Sequence, residues 1–204
     1  MRWLPCGDAA ALVEVDDLDT VLRLHAAVEA AAPDGVVDLV PAARTLLVRC
    51  TDQRALERAA AVVADLELPD HAVPTGEEVT IPVHYDGEDL DDVAAHLGCD
   101  TEEVVRRHLA TTWRVAFTGF APGFGYLVDD AGGRPLEVPR RDESRTRVPA
   151  GAVALAGEFT GVYPRESPGG WQLIGRTDEA MWDVDRDPAA LLAPGTRVLF
   201  EEAR

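Results

Sequence analysis

At Trp113 the sequence changes character. Before it, apolar residues recur at helical spacing. After it come short apolar runs, "WRVAFT", "GAVALAG", "TGVYP", "GGWQLIG" and "TRVLFEE", punctuated by glycine and proline. Runs of that length with frequent turn signals read as strands, and the second half of the chain is thereby directed to a small barrel or sandwich. The first third reads differently. "AALVEV", "VVDLV" and "TLLVR" have strand patterns, and "LDTVLRLHAAVEAAA" and "QRALERAAAVVADLEL" have the 3.6-residue period of amphipathic helices. With "EEVTIPVHY" as a last strand the order is β-α-β-β-α-β, that of a split βαβ, ferredoxin-like unit, although this strand can belong to either half. Pro74 and Gly76, within "HAVPTGEE", mark a linker. The expectation is an α+β chain of two domains, 1–76 and 77–204, joined near that linker. His25 falls on the apolar side of the first helix, which predicts a packed core histidine. Two short helices, "DLDDVAAHLG" and "CDTEEVVRRHLA", precede the change at Trp113; Gly98 is placed to end the first. Asp100 with Glu103 resembles a capping box at the start of the second.

Composition excludes several functions. With 37 acidic and 19 basic residues the formal charge is −18, which opposes binding to a nucleic-acid backbone. Every basic residue counted there is arginine, so neither a Walker-A lysine nor a Schiff-base lysine is available. Cys6, Cys50 and Cys99 are far apart with no histidine at ligand spacing, which argues against a disulfide scaffold or a zinc site. Cys50 reads as a buried small hydrophobe. No apolar run approaches the roughly 20 residues of a membrane span, and "MRWLPCGDAA" lacks the apolar region of a signal peptide. A soluble, cytosolic (cytoplasmic) protein is expected. Ser144 and Ser167 have neither GxSxG nor SxxK context, so no nucleophile presents itself.

The segment "FTGFAPGFGYL" packs three glycines, a proline and four aromatic rings into 117–127. Pro122 lacks a ladder donor and the glycines favour turns, so the segment should leave the strand that precedes it. Its rings can plug the barrel end, or they can wall a binding site that glycine lets a ligand or partner approach. Residues alone leave these two equal.

The motifs "WRVAFTGFAPGFGYL", "VPRRDESRTRVPAGAVALAG" and "TGVYPRESPGGWQLIGRT", with "GDAALVEV" and "LLAPGTRVLFEE" at the two ends, closely resemble the 5-oxoprolinase B-subunit family. Its relatives include the antikinase KipI and part of the carboxyltransferase region of urea carboxylase, often labelled allophanate hydrolase subunit 1. The resemblance covers nearly the whole chain and is most specific over 111–177. It implies an N-terminal α/β domain and a C-terminal cyclophilin-like β-barrel. The partners it implies are a homologous C-subunit, itself barrel-based, together with a separate A-subunit. It also implies ATP-dependent opening of 5-oxoproline to glutamate, with ATP bound by the complex. A KipI-like role, inhibiting a sensor histidine kinase, is the alternative, as is a role related to urea carboxylase or allophanate hydrolase.

Carried over by position, the resemblance places substrate contacts at Gly119, Phe120, Pro122, Gly123, Phe124, Tyr126 and Gln172. It places catalytic groups at His108, Arg140 and Arg145. Arginine's planar fork suits carboxylate or phosphate capture at Arg140 and Arg145, against the alternative of a solvated loop paired with Asp142 and Glu143. His108 can be an acid–base residue or a structural hydrogen-bonding group, and Gln172 can offer an amide or face outward. Trp171 reads as barrel packing and His84 as structural. The chain departs from the family at Glu158 and Phe159, where proline and glutamine are usual, and at Ser144, Ala152 and Trp113.

Overall fold

The computed structural model describes residues 1–70 and 76–203. The expected linker therefore lies largely outside the described residues. The chain divides into two compact units, Met1–Val73 and Pro74–Arg204.

In the first unit, β1 (Arg2–Pro5), β2 (Ala10–Glu14), β3 (Val36–Pro41) and β4 (Thr45–Cys50) form one sheet in the order β1-β2-β4-β3. Every neighbouring pair is antiparallel. Helices α1 (Leu18–Ala31) and α2 (Gln53–Asp65) follow β2 and β4. Strands β2 and β3 flank β4, so the split βαβ is present. The edge position that the sequence assigned to the strand at 77–85 is instead filled by β1. That strand is needed elsewhere, in the second unit.

The core of this unit is Val13, Val21, Leu24, Val28, Leu46, Val48 and the small face of α2, Ala55, Ala59 and Val63. On α1 the buried stripe runs through Leu18, Val21, Leu24 and Val28, which rotates His25 to a half-buried position. Leucine at 24 supplies the apolar volume that the expected core histidine would have occupied. Cys50 is buried, and burial pushes its thiol up from the ordinary value.

The second unit is built on a seven-stranded sheet. Its strands are β5 (Glu78–Val83), β6 (Trp113–Thr118), β7 (Gly125–Asp129), β9 (Ala152–Ala156), β10 (Phe159–Val162), β12 (Gln172–Arg176) and β13 (Arg197–Glu202), in the order β12-β9-β10-β7-β6-β13-β5. All pairs are antiparallel except β13 with β5. The two ends nearly meet. His84, just past β5, exchanges backbone hydrogen bonds with Arg176 of β12 at 2.8 and 2.9 Å, so the sheet is closed into a barrel at that point. A short ribbon, β8 (Arg145–Val148) with β11 (Ser167–Gly169), stands beside it. Closure leaves few free edges, which suits a sheet of short strands.

Helices α3 (Leu90–Leu97) and α4 (Thr101–Ala110) contribute Val93, Ala94 and Val104 to the barrel core of Trp113, Val115, Leu127, Leu155, Ile174 and Phe200. Gly98 ends α3 with φ +67°, and Asp100 caps α4 through the Glu103 amide at 2.8 Å. The capping box is only half made, because the Glu103 carboxylate holds Arg106 and Arg107.

His108 of α4 is fully buried. Its Nδ1 lies 2.8 Å from the Tyr85 hydroxyl and its Nε2 2.9 Å from Thr160 Oγ1, while its ring stacks on Phe200 at 4.3 Å. Thr160 in turn donates to the Ala154 carbonyl at 3.3 Å. One proton arrangement satisfies every group: Tyr85 donates to Nδ1, Nε2–H donates to Thr160, and the imidazole is neutral. Burial holds its pKa down, at about 3.

Since an unfolded histidine titrates near ~6.5, the unfolded chain binds a proton below that pH that the native chain refuses. Stability from this group is therefore complete above about pH 6.5 and is lost as the pH falls toward the folded value, by about 2 kcal/mol at pH 5. Urea midpoints measured from pH 7.5 to 5 should show that loss in the wild type and a flatter profile in His108→Gln; parallel profiles would refute it.

Candidate functional site

The segment after β6 builds two consecutive turns. The Ala121 amide donates to the Gly119 carbonyl at 2.7 Å, so Phe120 is the centre of a γ-turn. Its φ of +65° makes it the left-handed, strained variety. The Phe124 amide then donates to the Ala121 carbonyl at 3.0 Å, with Pro122 and Gly123 (φ +85°) at the corners, as a type II turn requires. Gly125 restarts pairing opposite Thr118, so Tyr126 and Leu127, read from sequence as part of a loop, belong to β7.

The turns divide the rings. Phe124 is 2% exposed and packs edge-on against Tyr163 and Trp171 at 5.5 and 5.3 Å. Phe120 is 58% exposed and meets Phe124 and Tyr163 edge-on. Phe124 thus fills the interior as a plug would, while Phe120 of the same loop stays open to solvent. A left-handed backbone costs an L-residue about 1–2 kcal/mol that glycine does not incur. Phe120→Gly should therefore be more stable than Phe120→Ala by about 1 kcal/mol, the reverse of the usual order, and thermal denaturation of the two variants reads this directly.

Phe120, Phe124 and Tyr126 line a cleft of about 230 Å³ together with Arg140, Ser144, Tyr163, Pro168, Gly169, Gly170 and Trp171. Gly169 is required there, because a side chain would collide with the Tyr163 hydroxyl. Burial raises the phenol pKa values of both Tyr126 and Tyr163, and the neighbouring Arg140 charge only partly offsets this. Both phenols are protonated at neutral pH and so available as hydrogen-bond donors.

Arg140 is exposed and forms no ion pair or hydrogen bond among the described residues. Its neighbours in sequence are committed. Arg147 holds Glu166 at 2.6 Å. Arg141 and Arg145 both hold Asp89, the latter at 2.8 Å, and Arg145 also reaches Glu88 at 3.1 Å.

Asp89 is the hub behind the cleft. It is 1% exposed and accepts from Arg141, from Arg145 and from the Leu173 amide at 2.7 Å. Burial pushes its carboxyl up, but those hydrogen bonds and the two arginine charges more than offset it, so the group lies below the ordinary carboxylate value. The Arg141 amide donates to Gly170 and the Gln172 amide nitrogen donates to Pro139, at 2.8 and 3.3 Å. Arg140 is therefore flanked by residues anchored to Gly170 and to Gln172 at the start of β12.

Several expected site residues lie elsewhere. His108 is in the barrel core with both ring nitrogens engaged, not at the cleft. Arg145 and Gln172 stand behind the wall. Gly119, Pro122 and Gly123 shape the turn rather than line the cleft, and the expected pairing of the arginines with Asp142 and Glu143 is replaced by pairing with Asp89 and Glu166. Phe159 packs edge-on against Tyr126 and Phe117, behind the wall. Sequence reading missed Asp89, Tyr163 and Ser144, and it assigned Trp171 to packing alone. "TGVYP" and "GGWQLIG" carried the signal for two of them, since each sets an aromatic residue among glycines and prolines in the same way as the first loop.

A barrel with this closure and an aromatic cleft at its rim defines a class. The chain belongs to the carboxyltransferase domain family, subdomain C and D, whose pattern matches residues 1–192. It is 41% identical over 172 residues to the 5-oxoprolinase B-subunit of Escherichia coli O157:H7, a match that covers 81% of this chain and 77% of that protein. The crystal structure of TTHA0988 is similar with a TM-score of 0.75 and 38% identity, over 96% of this chain but only 40% of that one. The urea carboxylase of Kluyveromyces lactis shares the fold, with a TM-score of 0.78 at 21% identity over 99% of this chain and 22% of that one.

Proposed function

We propose that this chain is the B-subunit of an ATP-dependent 5-oxoprolinase, which opens 5-oxoproline to glutamate with the help of a homologous C-subunit plus a separate A-subunit. The observation that carries the reading is the uncommitted Arg140 at an aromatic cleft of about 230 Å³. The volume is below the roughly 300–1,000 Å³ of sites for drug-sized ligands, which suits a single small ring. Flat rings of Phe124, Tyr163 and Trp171 offer faces and edges to a planar lactam, and the Arg140 fork matches a carboxylate bidentately. Ser144 and the protonated phenols can donate to the lactam carbonyl. Relatives named as 5-oxoprolinase B-subunits support the same assignment.

The cleft holds rather than attacks. Among the described residues no carboxylate or imidazole lines the cleft with Ser144 to activate it, and neither phenol ionises near neutral pH. Nor do the residues present fit ATP. The chain has no lysine. The amides at the starts of α1, α2 and α4 are occupied by Asp17, Asp52 and Asp100, and α3 starts with Asp91 and Asp92 in its first turn. Negative side chains there repel phosphate. ATP is assigned to the remainder of the complex.

Purification of the chain with its companion subunits, followed by measurement of ATP-dependent glutamate formation, tests the proposal. The complete set should turn over, while the isolated chain and the set lacking it should not. Turnover by the chain alone, or by the set without it, would refute the assignment.

A further inference from the structure

We propose that the Phe120 turn and the hairpin at 181–190 form a docking surface for a companion subunit, one that presents an apolar centre ringed by arginine or lysine and seats over the cleft mouth. This rests on the proposed function, which supplies the companion. The hairpin packs directly against the Phe120 turn. A side chain at Gly123 would come within 2.9 Å of both the Met181 carbonyl and Trp182 Cβ.

The hairpin is rigid. The Asp183 amide donates to the Ala189 carbonyl at 3.0 Å, the Leu191 amide to the Met181 carbonyl at 2.9 Å, and the Arg186 guanidinium is turned inward onto the carbonyls of Ala180 and Ala189 at 3.1 and 2.9 Å. On this frame Trp182 is 44% and Val184 80% exposed, and on the turn that the hairpin meets at Gly123, Phe120 is 58% exposed. Large apolar side chains displayed on a fixed frame mark interaction surfaces, and aromatic anchors dominate their energetics.

The charge around the patch selects the occupant. Asp178, Glu179, Asp183, Asp185 and Asp187 are all exposed, the hairpin's own cation Arg186 is spent on backbone carbonyls, and Arg140, in the cleft lining that Phe120 shares, is engaged by the proposed substrate carboxylate. A second copy of this chain, docked on the same face, would set that acidic rim against itself. Phosphate-bearing surfaces, nucleic acid or anionic lipid, meet the same repulsion. A basic-rimmed protein is attracted. Since Phe120 belongs both to the patch and to the cleft lining, a partner seated there covers the cleft and excludes water from it.

The test uses calorimetric titration of the folded chain with the co-purifying companion subunit. The variants are Val184→Asp, whose side chain is mostly in solvent, and the triple charge reversal Asp178→Arg, Glu179→Arg, Asp185→Arg. Each should keep the wild-type circular dichroism and melting profile and bind at least about tenfold more weakly. Wild-type affinity should fall as salt rises, and that of the triple variant should not. Unchanged affinity in Val184→Asp overturns the docking surface while leaving the proposed function standing. Absence of any wild-type binding overturns both. Self-association of the wild type through this face overturns the assignment of the occupant.

Discussion

Asp89→Ala is expected to destabilise the protein by about 3–5 kcal/mol, because it leaves two partly buried guanidinium groups without their counter-charge. The Arg145 side chain is 16% exposed and that of Arg141 31%, so water can compensate only in part. The Leu173 amide loses its acceptor as well. For a chain of this size each kcal/mol moves the melting temperature by about 2–4 °C, so a drop on the order of 10 °C is expected. The adjacent Glu88 also touches Arg145, yet its side chain is 75% exposed. Glu88→Ala should change stability by no more than about 0.5 kcal/mol. Thermal melts of the two variants separate hub from rim, and an Asp89→Ala variant within about 1 kcal/mol of wild type would contradict the hub. The folded carboxyl is held below its unfolded value, so its contribution is present above about pH 4 and is lost as the pH falls through the folded pKa.

Arg140→Ala is expected to lower kcat/KM of the reconstituted complex by about 10- to 150-fold, the loss of one charge-assisted hydrogen bond of roughly 1.5–3 kcal/mol in the transition state. Stability should hardly move, because Arg140 holds no protein partner among the described residues. Lysine at 140 should recover little, since a point charge lacks the planar fork. Arg145→Ala should behave in the opposite way. Its Nη2 is bound to Asp89 and Glu88, so its loss should first appear in the melting temperature. Steady-state kinetics and melts on the same three variants read both axes.

Much of the fold was legible because it rests on local signals. Short strands punctuated by glycine and proline pointed to a small barrel or sandwich, and helical spacing placed α1 to within one residue and α2 to within three. What escaped was the pairing of strands distant in sequence. Nothing local in "EEVTIPVHY" says that it lies parallel to β13 rather than completing the first unit, since both sites accept the same alternation.

The site was legible in part for the same reason. The ring-rich loop announced itself, and Arg140 stood in a basic cluster. Asp89 did not. It sits where an ordinary N-cap belongs, and Asp17, Asp52 and Asp100 in that position do accept from their own helices at 2.8 Å. Asp89 makes no such bond and is turned instead to two arginines more than fifty residues away. Sequence cannot distinguish a cap from a buried counter-ion when both are aspartate before a helix. His108 was left open between acid–base and structural roles for a related reason, since a histidine late in a helix reads alike whether it faces a cleft or a core.

The proposed recognition of a small lactam's carboxylate by Arg140, in the aromatic cleft, is tested most directly by a ratio of kcat/KM values. That ratio is 5-oxoproline over its neutral carboxamide, measured in the reconstituted complex with wild type and with Arg140→Ala. The wild type should prefer the acid by about 10- to 150-fold and Arg140→Ala should lose that preference, because the arginine and the carboxylate are two halves of one interaction. A ratio unchanged by Arg140→Ala would show that the carboxylate is recognised elsewhere and would contradict this role.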